Sequence, residues 1–274
     1  MHRSGLSKRD LAKIEEGIAD ACSVQEPILV AADPAWIEHA YLPEITKKGV
    51  AWVCLADAAE MLTETRYALV QATAYRVAYD RGLDPPDTQL SPSLFMAQFH
   101  MDDTVLRLYA TAESVAECVT AFYDAELTQA LRAVKKPRAS QFKNVCNAIA
   151  AVRLPGGLAV KMLSTGDASE TGWVTKYRNA WMHGQRMRMT GTGLRFGRNK
   201  VGSEYEPRAK RTTTAKGTPI VTLEFRSHDP AETSIAEAMD VVTKVFRLLL
   251  DLIVTCHETL AADLPSSGPN WKRK

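Results

Sequence analysis

The sequence predicts a mainly α-helical protein: a helical bundle with two long antiparallel helices, plus a small β-hairpin or three-stranded sheet as an insertion. Three observations predict it. Residues 50–80 and 93–134 are two long stretches without Gly or Pro, rich in Ala, Leu, Val and Glu, as long helices require. The connection between them contains Gly82, Pro85, Pro86 and Pro92, a stiff turn that returns the second helix along the first. Residues 219–226 switch to period two, with Val221, Leu223 and Phe225 opposite Ile220, Thr222, Glu224 and Arg226.

The elements follow in order. Ser7 with Asp10 has the form of a capping box ahead of Leu11, Ile14 and Ile18. Asp33-Pro34 reads as the N-cap and first residue of a second short helix through Trp36, Ile37, Ala40 and Tyr41. After the two long helices, 141–152 and 158–163 read as shorter ones on either side of Pro155-Gly156-Gly157. Asp167 with Glu170 reads as the cap of a helix that ends near Gly184. The strand at 219–226 comes next, and Arg186–Met189 with Leu194–Phe196 are expected to flank a turn at 190–193 and complete a three-stranded sheet with it. Asp229-Pro230 reads as the opening of a final helix. Its apolar positions Ile235, Met239, Val242, Phe246, Leu249, Ile253, Cys256 and Leu260 step by three and four, the spacing of a core stripe.

Hydrophobic residues at 46% and charged residues at 24% exclude a chain disordered throughout. The most continuous apolar run, 245–256, is broken by Arg247 and Asp251 and is too short for a bilayer; residues 1–16 are charged and carry no apolar signal core. The expectation is a cytoplasmic protein: one helical domain over 1–264, a basic insertion at 184–218 and a flexible basic tail at 265–274. Five scattered cysteines with no Cys-x-x-Cys pair predict reduced, buried thiols rather than a disulfide framework or a zinc site. No cofactor and no metal are expected. His100, Asp102 and Asp103 fall within one helical turn, but adjacent aspartates on a helix point in different directions.

The net charge of +2 is unevenly spread. From Lys176 to Lys216 eleven Lys or Arg face two acids, a local balance of +9 that leaves −7 on the remainder. An acidic body with one strongly basic segment suggests a polyanionic partner. The stretch 184–218 is also far longer than an ordinary connection, as functional or disordered loops are.

Just ahead of that stretch stands Arg178-Asn179-Ala180-Trp181-Met182-His183-Gly184. This run resembles the Arg-Asn-x-x-x-His-Gly form of the Arg-x4-6-His motif of the HEPN superfamily. The resemblance is confined to the heptad and its helical setting. It implies an all-α domain, commonly dimeric, and a metal-independent endoribonuclease of the kind found among toxins and phage-defence proteins. It assigns roles to Arg178, Asn179 and His183, and implies products ending in a 2′,3′-cyclic phosphate and a 5′-hydroxyl. Trp181 and Met182 fall where the motif is permissive and are expected to be buried.

The residue types suit that chemistry. His183, with an ordinary pKa of about 6.5, can move a proton near neutrality. Arg178 stays charged, and its planar fork can grip two phosphate oxygens as charge grows in the transition state. Asn179 can position the phosphate or the imidazole. Lys176, Arg186, Arg188, Arg195 and Arg198 are the expected RNA-binding cations. Five residues of helix separate Arg178 from His183 by about 7.5 Å and roughly 140°. One chain supplies one motif histidine for two proton-transfer tasks, which a twofold dimer would meet. Further expected partners are RNA and an antitoxin or other regulator. Two alternatives stay open: a catalytically silent helical module that binds nucleic acid or protein through 184–218, and a helical scaffold in which Arg178 neutralises carboxylates and His183 ends a helix.

Overall fold

The computed structural model describes residues 4–41, 47–84, 91–134, 139–182, 189–190, 205–213, 219–227 and 233–262. Among them are eight helices: α1 (Lys8–Gly17), α2 (Cys22–Tyr41), α3 (Lys47–Asp80), α4 (Pro92–Val134), α5 (Gln141–Val152), α6 (Gly157–Asp167), α7 (Ser169–Met182) and α8 (Ile235–Ala262). The protein is mainly helical. α3 and α4 are the long antiparallel pair: Glu64 meets Arg107, and Tyr75, later on α3, meets His100, earlier on α4. α8 packs across both and also against α6 and α7, which seals one core. Its stripe from Ile235 through Phe246 and Ile253 to Leu260 is buried throughout, as the three-and-four spacing requires.

Side-chain caps set several of the boundaries. Ser7 accepts from the Asp10 backbone N–H at the start of α1. α5 has Ser140 as N-cap, and the Glu113 carboxylate of α4 accepts from the Gln141 and Phe142 amides, which fixes α5 against α4. Ser234 and Glu237 exchange hydrogen bonds ahead of α8, a reciprocal capping box.

Some boundaries correct the sequence reading. α2 runs unbroken from Cys22 to Tyr41, through Pro34, instead of starting at Asp33. Its buried residues Ile28 and Ala32 belong to the core, so tertiary packing outweighs the local cost of proline. α7 opens at Ser169, while Asp167 is the last residue of α6. α8 opens at Ile235, because the Ser234–Glu237 box supplies the cap that Asp229-Pro230 was expected to provide. α4 bends at Asp124 (φ 43°, ψ −113°), a backbone region unfavourable for a residue with a Cβ, and no Gly or Pro marks it. Of the cysteines, Cys118, Cys146 and Cys256 are buried, whereas Cys54 is half-buried and Cys22 exposed; all are free thiols.

The strands pair two by two. β1 (Met189–Thr190) lies parallel to β4 (Thr233–Ser234), and β2 (Tyr205–Thr213) antiparallel to β3 (Pro219–Ser227), with Ala209 opposite Leu223. No three-stranded sheet occurs among the described residues. The turn expected at 190–193 and the tail at 265–274 fall largely or wholly outside them.

Close packing between α5 and α6 yields a first expected outcome. A Cβ on Gly166 would run into Cys146 Sγ and come within 3.3 Å of Cys146 Cβ, neither of which can swing away from a buried position. Gly166→Ala should therefore destabilise the fold by about 1–3 kcal/mol despite the better helix propensity of alanine, measured by urea unfolding. An unchanged or higher midpoint would show that the α5–α6 contact opens freely.

Candidate active site on the last turns of α7

The heptad occupies the end of α7 and the residues just beyond it. Arg178 and Asn179 are half-buried side by side, and Arg178 Nη1 donates to Asn179 Oδ1 at 3.1 Å. The Arg178 guanidinium carbon lies 4.7 Å from the centroid of the Tyr109 ring, a cation–π contact that orients the planar fork. Burial, and secondarily the Glu113 carboxylate, hold the Tyr109 phenol above its ordinary pKa, with Arg178 pulling in the opposite direction. The phenol is therefore neutral at physiological pH, and the cation faces an intact aromatic ring.

α7 is fixed to α4 at a second point. Tyr177 is 1% exposed and donates its hydroxyl hydrogen to Oδ1 of Asp102, itself 5% exposed. Burial drives the Tyr177 phenol pKa far up, so it keeps the proton it donates. Thr171, Val174 and Thr175 line a small cavity with Leu108, Tyr109, Ala112 and Glu113, whereas Tyr177 has moved on to Asp102. Arg178, the next residue, reaches back to Tyr109, so consecutive residues of α7 are held at two places seven residues apart on α4. Gln98, 4% exposed and one turn before Asp102, has its Oε1 without a hydrogen-bond partner among the described residues.

The structure thus brings Arg178 and Asn179 together and shows Lys176 exposed two residues earlier on the same helix. His183, Arg186, Arg188, Arg195 and Arg198 lie outside the described residues. Met182 corrects an expectation: it is 54% exposed rather than buried, because the last turn of α7 runs past the packed interior. Sequence reasoning missed Tyr109, Tyr177 and Asp102 as supports of the motif. The one local signal was a tyrosine directly before Arg178; its partner stands 75 positions away and becomes visible only once α4 and α7 are packed.

His100, Asp102 and Asp103 diverge, as the helix geometry demands. Asp102 turns to Tyr177; Asp103 accepts from Arg107 Nε through both oxygens at 3.1 Å, and Arg107 also pairs with Glu64. The His100 ring stacks on Tyr75 with centroids 5.7 Å apart, and burial lowers its pKa against an opposing pull from Asp103. It is neutral at pH 7.

Comparison with protein-family models, with curated proteins and with solved structures gives no match for this chain. No described helix is long and apolar enough to cross a membrane.

Proposed function

We propose that the chain is a HEPN-like endoribonuclease that cleaves RNA without a metal, acting as a homodimer. Its sheet insertion and basic segment 184–218 would belong to the RNA-binding surface, and an antitoxin or other regulator would hold the activity in check in a toxin or phage-defence setting. The observation that carries this reading is the placement of Arg178. A half-buried guanidinium, oriented over Tyr109 and adjacent to Asn179, stands at the end of a helix five residues before His183. A phosphate that displaces or bridges the Asn179 contact would meet a preorganised fork, the arrangement that stabilises charge as it develops.

In the proposed reaction the 2′-hydroxyl oxygen attacks the adjacent phosphorus and loses its proton to a base, while the departing 5′-oxygen receives one. The bond to the 5′-oxygen breaks as the 2′,3′-cyclic phosphate closes. His183 performs one of the two proton transfers and Arg178 compensates the phosphorane charge. The histidine of a second copy would perform the other.

The deciding experiment is the analysis of RNA fragments made by pure protein in excess chelator. Cyclic phosphate and 5′-hydroxyl ends support the reading. An absence of cleavage, or 5′-phosphate ends that require added magnesium, would remove it and leave the silent binding module.

A further inference from the structure

A groove with a volume of about 590 Å³ lies between α3 and α4. Tyr67 and Phe99 stand on its rim, 65% and 54% exposed, so both ring faces are open to a ligand. Its polar lining is Glu64, His100, Asp102, Asp103 and Arg107. Arg107 is held by two carboxylates, Asp103 and Glu64, so the groove has no surplus positive charge with which to hold a phosphate. Acceptors outnumber donors, and the rims are flat and aromatic. Such a site suits a planar, uncharged ligand that brings its own N–H donors.

Its position relates it to the motif. The groove shares Asp102 with the Tyr177 contact, and Tyr177 directly precedes Arg178 on α7. Along α4, Asp103 and Phe99 precede Tyr109, the ring beneath Arg178, by about 9 and 15 Å of helix rise.

We propose that this groove is the base subsite of the nuclease: it takes one unpaired nucleobase that carries an exocyclic amino group, stacked on Phe99 and Tyr67 with its amino edge toward Asp103 and Glu64. The proposal rests on the reading of Arg178 as the phosphate-binding group, since it assigns base and backbone to separate places on α4. Paired bases are excluded, because their faces and amino edges are already occupied. Neutral His100 adds a donor or acceptor at the inner wall without repelling the carboxylates' ligand.

The test uses full-length His183→Ala protein, in which binding can be followed without cleavage, and calorimetry with adenosine, uridine, single-stranded oligoadenylate and oligouridylate. Phe99→Ala and Tyr67→Ala remove exposed rings, and circular dichroism of each variant should match the parent. Each should weaken oligoadenylate about 5- to 100-fold, the range of a lost base–aromatic stack. Adenosine should bind more tightly than uridine, and Asp103→Asn should narrow that difference. Unchanged oligoadenylate affinity in both ring variants, or equal binding of the two nucleosides, overturns the subsite. Failure of the nuclease reading is separate: it shows as uncut RNA with wild-type protein, whatever the ring variants do to binding.

Discussion

Arg178→Lys is expected to lower RNA cleavage by about 10²–10³-fold although the charge is kept, the loss that follows removal of one preorganised donor from a transition state. The reason lies in shape. The guanidinium carbon lies over the Tyr109 ring, 4.7 Å from its centroid, and Nη1 donates to Asn179 Oδ1, so the fork is held at two points before substrate arrives. A lysine ammonium is a point charge on a flexible stem, can make no bidentate contact, and would have to be ordered at the moment of reaction. Binding of uncleaved RNA should fall far less than kcat, because ground-state attraction to phosphate survives. His183→Ala should lower cleavage by about 10²–10⁴-fold, the usual yield of one positioned proton-transfer group. Both follow from single-turnover rates in chelator. Near-wild-type cleavage by the lysine variant would mean that Arg178 serves only to join α7 to α4.

That possibility shows where the sequence was informative. The long helices were legible because nothing in 50–80 or 93–134 interrupts helical backbone and the breakers cluster between them. The core stripe of α8 was legible because its spacing is local. What escaped had causes outside the segment in question. Pro34 sits inside α2 because Ile28 and Ala32 are buried in the core, and the bend at Asp124 falls in a run whose local propensities favour a straight helix. The heptad around Arg178 was legible as a string of residue types, while its supports Tyr109 and Asp102 come from α4 and carry no mark in their own neighbourhoods. Exposure of Met182 has the same origin: it depends on how the last turn of α7 is packed rather than on the residue's own type.

The more deeply placed of those supports yields the second large effect. Tyr177→Phe is expected to destabilise the protein by about 2–3 kcal/mol, for a change that removes one oxygen atom and leaves the ring's packing against Trp173 intact. Asp102 is 5% exposed, and the substitution takes away a donor that water cannot readily replace. Depriving a buried carboxylate of a hydrogen bond costs more than the bond's net worth when both partners are present, because desolvation has already been incurred. In a chain of this size the loss corresponds to a fall in Tm of roughly 4–12 °C. Asp102→Asn separates charge from hydrogen bonding, since an amide oxygen can still accept from Tyr177; its cost should be smaller than that of Tyr177→Phe. The two readouts also diverge in function. Tyr177 immediately precedes Arg178 on α7, so release of its anchor should let the helix end rotate and lower kcat for cleavage at temperatures well below Tm, with weaker effects on RNA affinity. A Tyr177→Phe protein as stable as the parent would show that Asp102 is satisfied without Tyr177, and α7 would then lack the second fixed point that holds Arg178 in register with Tyr109.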